Sequence, residues 1–79
     1  MTKTIKEWFD LLIEPVRSEA IKNVSKHKKD YHGGAENYLN TETADSVYDA
    51  IDKAITWTAD GNTMIYWGNI CRHLDKYLK

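Results

Sequence analysis

Along most of this chain apolar residues recur at intervals of three and four, the spacing that places them on one side of an α-helix. Thr4 followed by Glu7 has the form of a capping box, and Ile5, Trp8, Phe9, Leu11 and Leu12 then make a broad apolar face. This predicts a short first helix that stops near Ile13. Pro15 accounts for the stop, because its ring disfavours the α conformation at Glu14 and suits the opening turn of a new helix. A second helix is expected from Pro15 to about Lys26, with Val16, Ala20, Ile21 and Val24 inward.

The following stretch, SKHKKDYHGGAENYLNTET, is the least periodic part. Gly33-Gly34 marks a break there, and Tyr38-Leu39 is placed to pin a short turn onto the body. Thr43 suits the N-cap of a third helix, from Ala44 to about Thr58, with Val47, Ile51, Ala54 and Ile55 inward. The Asp60-Gly61-Asn62 turn ends it. Asn62 or Thr63 then caps a fourth helix reaching nearly to Lys79, whose inward row is Trp67, Ile70, Cys71, Leu74 and Leu78. The expected fold is all-α: a single domain over 1–79, a compact bundle of about four helices with a C-terminal helical hairpin and an irregular Lys/His/Gly segment in the middle. Trp57 and Trp67 are expected to face each other across the closed end of that hairpin, joined by Trp8 from the first helix.

Composition narrows the functional classes. A chain of 79 residues has room for one core. Its longest apolar run, around Leu11-Leu12-Ile13, is far too short to cross a membrane, and MTKTIKEWFD is amphipathic rather than a signal peptide. The expected location is therefore the cytoplasm. Cys71 is the single cysteine and falls on an apolar helix face, which predicts an inert thiol. The net charge is −1 but uneven: residues 1–29 carry seven Lys/Arg against four acids, residues 30–60 seven acids against Lys53 alone, and residues 61–79 three bases against one acid. Without an overall basic field, nucleic acid is an unfavoured partner, and any charged partner must meet a local patch.

The segments LLIEPVRSEAI and AITWTADGNTMIYWGNI together resemble a family of small phage and prophage proteins, mostly of unknown function. The residues that carry the resemblance are Trp8-Phe9, Glu14-Pro15, Arg17, Ala20, Ala54, Trp57, Gly61 and Tyr66-Trp67. They cover about residues 5–25 and 44–75 and skip the Lys/His/Gly middle. The chain departs from the family pattern at Ile13, where a first proline is usual. The resemblance implies a phage origin and action in the cytoplasm of a bacterial host; it supplies no activity.

The residues offer no catalytic constellation. Ser18, Ser25 and Ser46 lack a glycine elbow or an adjacent base, and no glycine-rich phosphate loop follows a strand. His27, Asp30 and His32 fit no recurrent metal spacing, so neither a metal nor a cofactor is expected. Three patches are candidates for binding. Glu42, Asp45, Asp49 and Asp52 are spaced to form a row of carboxylates along the outer side of the third helix, able to imitate phosphates before a basic surface. Tyr66, Asn69, His73 and Tyr77 line up as a half-polar aromatic stripe on the fourth helix. Lys28, Lys29 and His32, beside the flexible glycines and with Lys22 and Lys26 nearby, can gather around an anion, with Arg17 and Tyr66 framing a groove.

The function expected is a non-enzymatic phage accessory protein that binds a host protein and inhibits a host process such as antiviral defence, through the acidic row or the stripe of Tyr66, Asn69 and His73. The alternatives are a sponge for a small anionic nucleotide signal, built on Arg17, Lys28, Lys29, His32 and Tyr66, or a structural or DNA-packaging subunit. Three Trp and five Tyr in so small a chain also point to a homodimer.

Overall fold

Thr4 opens the first helix as the sequence requires. Its side chain accepts from the Glu7 backbone N–H at 3.1 Å, while the Glu7 carboxylate accepts from the Thr4 N–H at 2.9 Å. The computed structural model describes residues 2–57 and 60–79, and its elements are β1 (Lys3–Thr4), α1 (Ile5–Phe9), α2 (Val16–His27), α3 (Gly34–Thr41), β2 (Thr43–Ala44), α4 (Val47–Ala54) and α5 (Gly61–Arg72). A 3-10 turn, Leu74–Lys76, follows α5. The molecule is mostly helical, with one small sheet.

Helix α1 lies at the centre. Ile5, Phe9 and the following Leu12 are fully enclosed, and α1 packs against α2, α3 and α4. Around it the core is completed by Val16, Ala20 and Val24 of α2, Tyr38 and Leu39 of α3, Ala50, Ile51 and Ala54 of α4, and Trp67 and Ile70 of α5. The inward rows expected from the apolar spacing of α2 and α4 are thus largely those that are buried.

Several boundaries differ from expectation. The fold is not strictly all-α, because Lys3–Thr4 pairs antiparallel with Thr43–Ala44, and the Ile5 N–H extends this ribbon to the Glu42 carbonyl at 2.9 Å. Residues just before a capped helix are extended, and two such stretches meet here. The Lys/His/Gly segment is not irregular throughout: Gly33 and Gly34 both take positive φ, 86° and 83°, and launch α3, whose Tyr38 and Leu39 enter the core. There are consequently five helices among the described residues.

The third predicted helix is shorter than its apolar pattern suggested. Ser46, not Thr43, is the N-cap of α4, its hydroxyl accepting from the Asp49 N–H at 3.0 Å. The helix ends at Ala54 because Asn23 of α2 clamps the chain beyond it, accepting from the Thr56 N–H at 2.9 Å and donating to the Thr56 carbonyl at 3.3 Å. That pair of bonds holds the backbone extended, and the expected end at Thr58 falls outside the described residues. Asp60 is the N-cap of α5, its carboxylate accepting from the Thr63 N–H at 2.7 Å, so neither Asn62 nor Thr63 is the cap. It stops at Arg72. The tail then turns back onto the segment after α1, where Ile13 N–H donates to the Tyr77 carbonyl at 2.8 Å and Lys79 N–H to the Leu11 carbonyl at 2.8 Å. Leu78 bridges Leu12 there and is not part of a helical row.

The C-terminal hairpin is the largest correction. Helix α5 joins the body through large side chains, Trp67 and Ile70, rather than by close backbone approach to α4. Trp67 pairs edge-to-face with Tyr66 at 5.3 Å and 87°, while Trp57 stands over Gly68, 4.0 Å from where a Cβ would sit. Trp8 is elsewhere: its Nε1 donates to the Ala44 carbonyl at 2.8 Å and ties α1 to β2.

Candidate functional site

The acidic row does not form along one helix. Glu42 is the C-cap of α3, and its carboxylate accepts from the Tyr31 hydroxyl at 2.8 Å. Asp45 precedes α4 and accepts from the Thr2 hydroxyl at 3.0 Å, while Asp49 accepts from the Asp45 N–H at 3.1 Å. Only Asp49 and Asp52 lie on α4 itself. Three of the four acids therefore close turns and helix ends, for which short polar side chains near a helix start are well suited. The helical register assumed for the row fails because β2 runs to Ala44 and α4 begins only at Val47.

The basic constellation is dispersed as well. Arg17 Nε donates to Asp10 at 2.9 Å and Lys6 Nζ holds the other carboxylate oxygen at 3.0 Å, so Arg17 braces the end of α1 rather than facing Tyr66. Lys6, and then Arg17, keep the Asp10 carboxyl below its ordinary range. Lys28 lies over the Tyr38 ring, its Nζ 5.2 Å from the centroid. Lys29 and His32 are exposed on the α2–α3 loop, and the His32 carbonyl accepts from the Asn37 amide at 2.8 Å. These groups do not converge with Tyr66.

The aromatic stripe survives over α5 and ends with it. Tyr66 and Asn69 are exposed on the helix, His73 is its C-cap, and Tyr77 lies beyond the 3-10 turn. What the spacing missed is the company Tyr66 keeps. Met64, Ile65 and Tyr66 are consecutive and exposed to 51%, 72% and 38%, an apolar run open to solvent. With Gly68, Asn69 and Arg72 they edge a shallow depression. The signal was present: Met64 and Ile65 are large apolar residues off the inward row, and such residues are either wasted or used.

A second concavity runs between α2 and the first turns of α5. It is an open groove of about 580 Å³, lined by Glu19, Lys22, Asn23, Lys26 and His27 on one wall and by Asp60, Asn62, Thr63, Tyr66 and Trp67 on the other. The Thr63 backbone bond, and to a smaller extent the charge of Lys26, hold the Asp60 carboxyl below its ordinary range. Burial chiefly raises the Tyr66 phenol, and the charge of Glu19 adds to it. Cys71 lies apart from both surfaces; burial, then the Asp52 charge, pushes its thiol up, so it stays protonated and unreactive near neutral pH. No protein-family model, curated protein or solved structure matches this chain.

Proposed function

We propose that this chain is a non-catalytic binding protein that presses the exposed face of α5 against a partner protein. Met64, Ile65 and Tyr66 form the centre of the contact, with Asn69, Arg72 and His73 at its edge. In line with the resemblance to small phage and prophage proteins, the proposed role is that of a phage accessory factor interfering with a host process, antiviral defence being the leading one, in the bacterial cytoplasm.

The observation that carries this reading is the exposure of three consecutive large side chains on a regular helix. Interface centres are built from aromatic, Met and aliphatic anchors with few acids, and α5 contains no Asp or Glu between Gly61 and Arg72. Arg72 and Lys76 beside this face suit a partner whose apolar pocket is rimmed by carboxylates. The acidic residues, being engaged in caps and turns, support the reading less.

The test is capture from host lysate by the wild-type chain, by Ile65→Asp, and by a chain with Asp45, Asp49 and Asp52 all changed to Asn. A specific partner that Ile65→Asp loses and the Asn variant retains is the expected result. The reverse pattern moves the interface to α4 and overturns the assignment. Light scattering decides the remaining occupant: a dimer dissociated by Ile65→Asp would make the partner a second copy of the chain.

A further inference from the structure

We infer that the exposed face of α5 pairs antiparallel with the same face of a second copy of the chain, Ile65 of each copy seating over Gly68 of the other. This rests on the reading of that face as the contact surface and names what covers it in the free chain. A host partner then binds in place of the copy.

The geometry begins with Gly68. It sits inside a regular helix, where glycine costs stability relative to alanine because it has more backbone freedom to lose. The fold itself does not require it. An added Cβ would meet nothing nearer than the Trp57 ring at 4.0 Å, an ordinary contact. Gly68 is only half-buried, and with Ile65, Asn69 and Arg72 it edges the shallow depression on the outer side of the helix. These four are spaced i, i+3, i+4 and i+7, the set that makes a hole for one side chain of a facing helix. The missing side chain at that place lets a second backbone come close.

The chain also carries the side chain that fits. Ile65 is 72% exposed, and at about 3.6 residues per turn it lies opposite the buried Trp67 and Ile70. A bump and a notch one turn apart on the same face are self-complementary about a two-fold axis: where Ile65 meets Gly68 of the copy, Gly68 meets Ile65 of the copy. The same register carries Arg72 to the first turn of the copy's α5, next to its Asp60 carboxylate. Arg72 is in no ion pair among the described residues, and Asp60 is exposed. A parallel pair would set Arg72 against Arg72 and align the two helix dipoles, both unfavourable. A contact confined to one face of a twelve-residue helix is at the small end of specific interfaces, under roughly 1,200 Å². The dimer therefore forms and exchanges with concentration and leaves the face accessible to a host partner.

Sedimentation of the full chain under reducing conditions tests the pairing. The apparent mass should rise from that of one chain toward that of two between about 10 μM and about 1 mM. In a mixture of isotope-labelled and unlabelled chains, NOEs between copies should join the Ile65 methyls to the Gly68 Hα atoms. Ile65→Asp should raise the dissociation constant at least about tenfold. Gly68→Ala should raise it about tenfold as well, with the melting temperature of the dilute chain equal to or above the wild-type value, because alanine fits there and is the better helix former. The second variant separates a filled notch from a damaged fold. A chain that stays monomeric throughout, a dimer that either variant leaves as tight, or a dimer without the Ile65–Gly68 contacts would each overturn the inference. A monomeric chain that still captures a host protein through Ile65 sinks the pairing alone. A dimer with no host protein captured sinks only the host-partner reading.

Discussion

Helices α1 and α5 stand at opposite ends of a range. Helix α1 has five residues and is held on every side: by its capping box, by the Trp8 indole on Ala44, by Arg17 and Lys6 on Asp10, and by Ile5 and Phe9 in the core. Helix α5 has twelve residues and is held by one row, Trp67 and Ile70, with its other face open. Length favours α5 as a helix in isolation, yet α1 is the element the fold is built around. Tertiary burial, not intrinsic propensity, gives a short helix its stability. A long helix anchored on one side is free to offer the other side to something else. The contrast separates the structural centre of the molecule from its working surface.

The sharpest way to break this contrast is to empty one anchor on each helix. Phe9→Ala and Trp67→Ala should each cost ~3–5 kcal/mol, as deletion of a buried large aromatic usually does. A domain of this size has about 5 kcal/mol in total, so both variants should be largely unfolded in chemical denaturation. If Trp67→Ala melts like the wild type, α5 is an appendage rather than part of the core.

A smaller loss is expected at the turn into α3. Gly33 has φ of 86°, and an added Cβ would meet the Asn37 side chain at 2.8 Å. Gly33→Ala should destabilise by about 1–2 kcal/mol, the usual cost of a left-handed conformation for a residue with a Cβ. A melting temperature at or above the wild-type value would show that the turn has another conformation within reach.

Acid should act on the edges of both helices together. Carboxyls at Glu7, Asp10 and Asp60 are held below their ordinary values, by the Thr4 bonds, by Lys6 and Arg17, and by the Thr63 N–H respectively. A lowered folded-state pKa stabilises the protein above the unfolded value, near pH 4, and that contribution disappears as pH falls through the folded value. The melting temperature should be flat from neutral pH to about pH 5 and decline below it. A rise on acidification would contradict these assignments.

The smallest effect should come from the open face of α5. Ile65→Ser should change stability by less than about 0.5 kcal/mol, because the side chain is 72% exposed. Thermal denaturation checks it. A clearly larger loss would mean that Ile65 is covered by the chain's own residues and that the face is no surface for a partner.

Much of this architecture is written locally. The Thr4–Glu7 cap, the restart of the helix after Pro15, and the inward positions Ile5, Phe9, Val16, Ala20, Val24, Ile51, Ala54, Trp67 and Ile70 follow from spacing and backbone chemistry within a few residues. Those properties act through the next turn of the same helix, so the amino-acid order alone carries them. Several features that differ depend on partners outside the local helix, whereas the Ser46 and Asp60 caps are local. Asn23 ends α4 by bonding Thr56, β1 meets β2, the tail from Tyr77 to Lys79 pairs with Leu11 to Ile13, and Asp10 claims Arg17. The groove belongs to the same class, since Lys22 on α2 and Tyr66 on α5 line it together only in the folded chain. Periodicity marks which side of a helix turns inward, but it does not say which other side chain waits there. For Met64 and Ile65 the sequence showed two apolar residues off the buried row; that they stay exposed among the described residues was decided by how the helices packed.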